Sequence, residues 1–480
     1  MTLQEYWPHI ILLISIAAST AATIHAAMTK QDVRAAIGWV AVVIFSPILG
    51  AIFYFFAGIN RIRIERVSQQ RVIAEHDLQL LEKLVITQSR PDWPHAFTAM
   101  RRAGDDISRY RLLGGNSIEL LDGGDQTYPA MIEAIHNARS SIAMQSYIFD
   151  NDRLGRQIAQ ALIDAYARGV EVRVLIDAVG AKYSNPPIIE MLESAGVTVA
   201  RFLPATLGLS LAYANLRSHR KLLVVDGELA LAGGMNIREG FTREFGKEHM
   251  AHDTHFRIRG PVTRQLMDSF AHEWEFTTKE RLDGPLWFHS NPGFLQQEDI
   301  PIRVVPSGPD KTVGSNQSMV MAALSVAQHH VRIQSPYFLP DIVLIGALVT
   351  AARRGVIVDV VIPGNNNLKL VSAAMDAQLD QLVRAGVRIW RSTGAFDHSK
   401  LMTIDGIWSY AGSSNLDPRS LRLNFELDLE VYDRKLARQI EERIDNVIRS
   451  SKRVTLEELR CQPFGVRLRN RLIWLASPYL

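Results

Sequence analysis

Two long uncharged apolar runs open the chain. The first, "PHIILLISIAASTAATIHAAM" (residues 8–28), and the second, "IGWVAVVIFSPILGAIFYFFAG" (residues 37–58), contain no Asp, Glu, Lys or Arg. At about 1.5 Å per helical residue the second run measures about 33 Å, enough to cross a bilayer core, and a membrane helix tolerates Pro47. The pattern predicts a two-helix transmembrane hairpin over residues 1–60. A cleaved signal peptide is disfavoured for the first run, because the run lacks a basic start and a second apolar run follows it.

The remainder alternates strand-like and helix-like segments after a charged connector over residues 61–115. "SSIAMQSYIF" (140–149) and "VEVRVLIDAVG" (170–180) have the pattern of strands, and "RQIAQALIDAYARG" between them has apolar residues at helical spacing. The same order returns in "HVRIQSPYFLP", "DIVLIGALVTAARRG" and "VIVDVVIPGNN" over residues 330–366. We therefore predict a duplicated α/β domain, with parallel strands, helices on both sheet faces and halves at 116–290 and 291–450 that pack about a pseudo-twofold axis.

Composition and charge add a little to this picture. The 480 residues are 47% hydrophobic with a net charge of +3, which is mildly basic and does not suggest the strongly basic groove of a nuclease. Cys461 is the single cysteine, so neither an intramolecular disulfide nor a cysteine-based metal site is expected. The basic and apolar tail, residues 451–480, is either an amphipathic helix on the bilayer or a helix docked on the core.

The cationic residues beside the two apolar runs predict an orientation. The loop between the runs carries Lys30 and Arg34, four arginines follow the second run (Arg61, Arg63, Arg66 and Arg71), and the N-terminal flank carries no Lys or Arg. Lys and Arg are enriched on the cytoplasmic side of membrane proteins. Because four cationic residues follow the second run and only two lie in the loop, the pattern favours a cytoplasmic location for the C-terminal part.

One polar motif occurs twice, as His-x-Lys-x4-Asp-x6-Gly-[Gly/Ser]-x-Asn. The first copy consists of His219, Lys221, Asp226, Gly233, Gly234 and Asn236, and the second of His398, Lys400, Asp405, Gly412, Ser413 and Asn415. A single His-x-Lys would be uninformative. Two copies beside apolar strands indicate a site to which each half contributes.

Strand geometry separates the members of the motif. Residues two apart on a strand share a face, so His219 and Lys221 are expected to project together. Asp226 lies an odd number of residues from both and precedes a glycine. We therefore expect Asp226, and equally Asp405, to stabilise a turn rather than contact substrate.

Two histidines, two lysines and two asparagines around one point suit an anionic centre with several oxygens, such as a phosphodiester. One histidine would attack phosphorus and the other would donate a proton to the leaving alcohol and then activate the incoming one. Metal binding is less favoured, because a lysine two residues from each histidine would repel a cation. Asp253 and Glu426 are candidates to fix the tautomers of the histidines, and each is equally well a surface carboxylate.

The paired motif resembles the signature of the phospholipase D superfamily, and nearly the whole chain resembles the bacterial cardiolipin synthases. "YIFDND-LG", "ARGVEVRVLIDAVG", "NLRSHRKLLVVDG", the membrane hairpin and the tail ending "LASPYL" carry the resemblance. It implies two αβα-sandwich halves that share one active site, no metal or cofactor, a carboxylate supporting each histidine, His219 as nucleophile and His398 as acid/base. The implied reaction joins two phosphatidylglycerols, releasing glycerol, at a bacterial plasma membrane with a multi-pass anchor and a cytoplasmic catalytic part.

Other functions remain open at this stage. A membrane-anchored phospholipase D that uses water, a nuclease, and a non-enzymatic scaffold share parts of the pattern. The apolar "LPATLGLSLAYA" (203–214) before the first motif is either an acyl-chain path or a packed loop. The oligomeric state is not predicted, and no nucleic-acid partner is expected.

Overall fold

A computed structural model describes residues 3–30, 32–58, 85–86, 93–203, 216–247, 250–288 and 298–477. The chain divides into two units, Met1–Arg63 and Ile64–Leu480. The arginines at 61–71 and the proposed acyl path beyond Leu203 lie outside the described residues.

The described part of the N-terminal unit contains three helices: α1 (Leu3–Thr29), α2 (Val33–Phe45) and α3 (Pro47–Phe53), the last continuing as a π-helical turn, Tyr54–Gly58. Among the described helices only α1, over Tyr6–Thr29, is long and apolar enough to cross a membrane. The second apolar run differs from the single helix predicted for it. It breaks at Ser46, because Pro47 has no N–H to donate and instead occupies the first turn of a new helix.

The first half of the larger unit is preceded by α4 (His95–Ile107). It comprises β1 (Leu113–Asp122), α5 (Gly124–His136), β2 (Ser141–Ser146), α6 (Arg153–Ala167), β3 (Glu171–Asp177), α7 (Ile188–Ser194), β4 (Thr198–Phe202), β5 (Arg217–Ser218), β6 (Leu222–Val225), β7 (Leu229–Gly233), α8 (Arg243–Gly246), β8 (Thr254–Arg259) and α9 (Val262–Thr278).

The second half repeats this order and adds a tail. It comprises β9 (Ile300–Ser307), α10 (Ser315–Val326), β10 (His330–Gln334), α11 (Ile342–Arg353), β11 (Ile357–Pro363), α12 (Lys369–Asp376), α13 (Leu379–Arg384), β12 (Arg388–Ser392), β13 (Leu401–Ile404), β14 (Trp408–Gly412), α14 (Pro418–Arg422), β15 (Asn424–Tyr432), α15 (Arg434–Arg449), β16 (Lys452–Arg453), α16 (Leu456–Arg460) and α17 (Phe464–Leu475).

One sheet runs through both halves with matching strand orders. From the centre outward the first half has β1-β8-β7-β6-β2-β3-β4 and the second has β9-β15-β14-β13-β10-β11-β12. β1 and β9 join the halves as antiparallel neighbours, with Leu113 opposite Ile302. β2, β3 and β4 are parallel, as are β10, β11 and β12. The predicted duplicated α/β fold is confirmed.

Helices cover both faces of each half of the sheet. In the first half, α5, α6 and α7 bury apolar residues in one cluster with the strands, while α9 packs separately against β2, β4 and β6. In the second half, α10 to α13 form the corresponding cluster, and α15 packs against β13 and β14. Each half is thus a three-layer αβα sandwich.

The repeated Arg-Gly-Val after α6 and α11 has a common physical cause. Gly169 and Gly355 have φ of +90° and +92°, a conformation that ends a helix and that glycine adopts without strain. The arginine before each glycine donates to carbonyls at the end of the helix one earlier in the chain. Arg168 donates to Ile135 O and His136 O at the end of α5, and Arg354 donates to Leu324 O and Ala327 O at the end of α10.

Two segments outside the halves join the second core. α4 lies within the predicted connector, yet Trp93 stacks on Tyr432 with ring centroids 4.5 Å apart, and Phe97 is buried in the same cluster. The tail helix α17 docks on the core, one of the two alternatives for this segment. Trp474 packs against the core, and the opposite side of the helix exposes apolar side chains at helical spacing, Phe464, Leu468, Leu472 and Leu475.

Candidate active site

The two His-x-Lys segments lie between strands at the join of the halves. His219 follows β5 and Lys221 directly precedes β6, and His398 and Lys400 stand before β13 in the same way. These residues are therefore not on a regular strand, as the parity argument assumed, but in the extended link that leads into one. All residues of β6 and β13 are buried, which anchors both segments.

Each segment is hydrogen-bonded to the other half of the sheet. The His219 amide donates to Phe425 O at 2.9 Å, and the His398 amide donates to His252 O at 2.7 Å. The carboxylate that follows each of these acceptors binds the imidazole. His219 Nδ1 is 2.9 Å from Glu426 Oε2, and His398 Nδ1 is 2.7 Å from Asp253 Oδ2. The two histidine–carboxylate pairs are therefore crossed between the halves.

The crossing brings the two imidazoles to one cavity. Their ring centroids are 6.4 Å apart, and both rings line a cavity of about 760 Å³. Because a carboxylate occupies each Nδ1, Nε2 is the nitrogen available to react with a ligand. Apolar side chains line part of the cavity as well, including Phe241, Leu339 and Val371.

The lysines are buried directly behind the histidines. Lys221 Nζ donates to His219 O at 2.5 Å, and Lys400 Nζ donates to His398 O and lies 3.1 Å from His398 Nε2. Both ammonium groups are almost completely withdrawn from solvent. Such cations are costly to bury without a partner, so they suit a site that receives an anion.

Burial dominates the electrostatics of the site. It lowers the pKa of both imidazoles, and for His398 the neighbouring Lys400 adds to the effect. It also lowers the pKa of Lys400 to about 8, although Asp253 opposes the shift. Burial also lowers the pKa of Lys221 well below its ordinary value. Near neutral pH the free site therefore holds neutral imidazoles beside the Lys400 cation, and an arriving anion would favour protonation of a histidine.

The two carboxylates differ. Burial raises the pKa of Asp253 to about 6. Burial is also the largest single influence on the pKa of Glu426 and raises it, but His219, Lys221 and Ser413 together lower it by more, and the net direction is downward. Ser413 contributes by donating to Glu426 Oε2 at 2.6 Å. Glu426 is thus the more strongly ionised of the two carboxylates.

Asn236 and Asn415 both line the cavity, as their positions in the motif predict. Asn236 Oδ1 accepts from the Ile148 amide at 3.2 Å, which fixes its side chain. The difference between Gly234 and Ser413 in the motif is steric. A Cβ at position 234 would lie 2.4 Å from Asp253 Oδ1, whereas the longer Glu426 leaves room for the hydroxyl of Ser413.

Asp226 and Asp405 lie at the far ends of β6 and β13, and neither lines the cavity. Both have a φ of +53°. The Asp226 carboxylate accepts from the amides of Arg139, Ser140 and Ser141, and the Asp405 carboxylate accepts from those of Gln328, His329 and His330. As expected, each stabilises a turn, tying it to the start of the neighbouring strand β2 or β10.

Sequence reasoning missed several residues around the histidines. Tyr147 and Tyr337 place their rings 5.3 Å from His219 and 6.0 Å from His398. Within the segments themselves, Arg220 pairs with Glu273 on α9, and Asp397 pairs with Arg443 on α15. No spacing signals these contacts, because their partners are more than 40 residues away.

Metal binding was an alternative use of the paired histidines. In the described parts of the chain, no three His, Cys, Asp or Glu side chains are grouped in a way that could hold a metal ion. Asp253 and Glu426 are each engaged by a histidine, and a lysine amino group lies beside each histidine. The donor set suits an anion better than a metal.

Comparisons with known proteins agree with this geometry. Residues 131–274 and 320–448 match the family described as "Cardiolipin synthase, PLD-like domain", and residues 17–58 match "Phospholipase_D-nuclease N-terminal". The chain is 32% identical to cardiolipin synthase A of Pseudomonas fluorescens (strain SBW25) over 469 residues, 96% of each chain. It is also 32% identical to cardiolipin synthase A of Pseudomonas putida (strain GB-1) over 466 residues, 96% of this chain and 95% of that one.

A solved structure has the same fold. The phosphatidylserine synthase of Haemophilus influenzae Rd KW20 superposes with a TM-score of 0.61 and 18% sequence identity, covering 79% of this chain and 100% of that chain. At this identity the similarity concerns the fold alone.

Replacing Asp226 is expected to change stability rather than chemistry. Asp226→Ala removes a carboxylate that accepts from three backbone amides and should lower the free energy of unfolding by about 2–3 kcal/mol. The control, Glu193→Ala, changes an exposed carboxylate on α7 of the same half and should stay within about 0.5 kcal/mol of the wild type. Thermal unfolding and the turnover rate per folded molecule are the measurements. Full stability with lost turnover would make Asp226 catalytic.

The lowered pKa of Lys400 predicts an alkaline limit to activity. The ammonium is charged below its pKa of about 8, so kcat/KM should fall as pH rises through that value and the site loses a cation. Lys400→Arg keeps its charge to higher pH and should move the alkaline limb upward, whereas the exposed Lys435→Arg should leave it in place. An unmoved limb in Lys400→Arg would show that another group sets it.

Proposed function

The chain belongs to the cardiolipin synthase family of phospholipase D-like proteins, and from this premise we propose that it is a phosphatidyltransferase that joins two phosphatidylglycerols into cardiolipin and glycerol. The observation that carries the proposal is the pair of crossed histidine–carboxylate contacts that places two imidazoles 6.4 Å apart at one cavity. This arrangement supplies a nucleophile on one side of a phosphodiester and a proton donor on the other.

In the first step, we propose, His219 Nε2 attacks the phosphorus of the donor lipid. The P–N bond forms as the P–O bond to glycerol breaks, and His398, protonated once the anionic substrate is bound, gives its proton to the departing glycerol oxygen. Lys221 and Lys400 stabilise the charge on the non-bridging oxygens. The ionised Glu426 favours His219 as the nucleophile, since this carboxylate stabilises the cationic imidazole that a P–N bond creates.

In the second step the P–N bond formed in the first step breaks and a new P–O bond forms. The terminal hydroxyl of a second phosphatidylglycerol attacks phosphorus while neutral His398 accepts its proton. A new P–O bond forms, the P–N bond breaks, and His219 is regenerated. Asp253 orients His398 in both steps by accepting from its Nδ1. Asn236 and Asn415 are proposed to contact the phosphate or the glycerol group from the cavity wall.

The cavity and the apolar N-terminus support lipid substrates over a water-soluble diester. Leu368 and Val371 contribute apolar surface to the cavity wall, and α1 has the length and composition of a membrane span. We propose that the protein acts in a bacterial plasma membrane, where enzyme and both lipids are confined together. Partial exclusion of water from the cavity would favour a lipid hydroxyl over water as acceptor.

Product analysis tests the proposal directly. The purified protein, incubated with phosphatidylglycerol vesicles, should release glycerol and form cardiolipin in a ratio of one to one. Phosphatidic acid as the main product would replace the proposal by a hydrolase.

His219→Gln and His398→Gln should each lose activity by a factor of about 10³ or more, because each removes a group that acts in both steps. The control His136→Gln on α5 should retain activity. In each variant, an unchanged unfolding temperature would show that folding is preserved.

A further inference from the structure

The second apolar run folds back on itself. α2 and α3 meet at Ser46, and Gly50 on α3 packs against α2 so closely that a Cβ there would lie 2.4 Å from Val42 O. In a continuous helix, residues 42 and 50 would be about 12 Å apart along the axis. The two helices are therefore antiparallel arms of a tight turn.

Contacts farther along the arms show that the reversal is complete. Trp39 on α2 and Tyr54 after α3 have ring centroids 5.3 Å apart. Tyr54 Oη is also 2.7 Å from His25 Nδ1 near the end of α1. At the open end of the arms, the Lys30 ammonium donates to Gly58 O. Residues 30 and 58 therefore lie at the same level, beside the end of α1.

The dimensions of this hairpin are too short for a membrane span. The 13 residues of α2 extend about 20 Å, while a hydrocarbon core is about 30 Å thick. The apolar side chains at and near the turn are exposed, with Phe45 at 87% and Leu49 at 66%. Backbone hydrogen bonds hold the turn, since Ser46 N donates to Val42 O and Gly50 N donates to Ser46 O.

We propose that α1 crosses the membrane once and that α2 and α3 form a re-entrant hairpin, buried in the lipid of one leaflet, which returns the chain to the side it entered from. The charge pattern supports this topology. If the second run crossed, four cationic residues (Arg61, Arg63, Arg66 and Arg71) would face two (Lys30 and Arg34) on the other side. With a re-entrant hairpin all six lie on one side, and the N-terminal flank with no Lys or Arg lies on the other, which satisfies the positive-inside rule without exception.

The topology has a consequence for the rest of the chain. Among the described helices after Gly58, none has the length and apolarity of a span. The catalytic unit therefore lies on the cytoplasmic side with Lys30, and the N-terminus lies on the outer side. The two-span hairpin predicts the opposite location for the N-terminus relative to the catalytic unit.

Single-cysteine labelling distinguishes the two topologies without relying on catalysis. Cys461→Ser removes the chain's only cysteine, and Thr2→Cys, Gln31→Cys or Asn60→Cys is then added to the full-length protein. A membrane-impermeant maleimide should label position 2 in intact spheroplasts, and positions 31 and 60 only in inverted vesicles. Labelling of 2 and 60 from one side with 31 from the other would establish two spans. Labelling of all three from one side would show that α1 does not cross.

The role of the turn can be tested by substitutions that convert it into continuous helix. Ser46→Leu/Pro47→Ala/Gly50→Leu removes the proline and the glycine that permit the close approach, and it should give one continuous spanning helix. In an Asn60→Cys background this variant is expected to move labelling of position 60 to the outer face, while the matched control Ile48→Leu leaves it inside. If the triple variant fails to insert, the labelling of the unaltered turn still decides between the topologies.

Discussion

The site depends on one constraint: each histidine of the repeated motif is held by a carboxylate from the other half of the protein. Glu426 on β15 holds His219, and Asp253 before β8 holds His398. Backbone bonds from His219 to Phe425 and from His398 to His252 fix the same crossing. The continuous sheet is what makes it possible, since β1 and β9 pair at its centre and bring the inner strands of both halves to one join. Neither half contains a complete site, because the partner of its histidine lies in the other.

Much of the fold and several residues of the site were predictable from the sequence. The duplication, the αβα layers and the His219–Lys221 and His398–Lys400 pairs follow from repeats and hydrophobic patterning, because these reflect local periodicity and burial. Parity also indicated that Asp226 and Asp405 stabilise turns, although it treated His219 and Lys221 as part of a strand that in fact begins at Leu222. The crossing was not predictable. Asp253 and Glu426 could be named as candidates, but which carboxylate holds which histidine depends on strand pairing across the duplication.

The N-terminal run shows a second limit of sequence patterning. Its length and lack of charge predict a spanning helix, and Pro47 alone does not exclude one, because membrane helices contain prolines. The reversal depends on the combination of Pro47, the close approach allowed at Gly50 and the contact of Tyr54 with His25. None of these contacts has a periodic signature. The distribution of Lys and Arg was the available signal, and it agrees better with a re-entrant hairpin than with two spans.

The crossed pairs are tested most directly by the burst of nitrophenolate from phosphatidyl-p-nitrophenol in rapid-mixing experiments. This donor's leaving group needs no proton, so the first step requires His219 and its partner Glu426 but not His398 and its partner Asp253. The account predicts that Asp253→Asn keeps the burst and loses subsequent turnover, because His398 can no longer activate the acceptor, whereas Glu426→Gln loses the burst. His219→Gln should behave like Glu426→Gln, and His398→Gln should behave like Asp253→Asn. A burst that disappears in His219→Gln and Asp253→Asn but survives in His398→Gln and Glu426→Gln would contradict the crossed pairs.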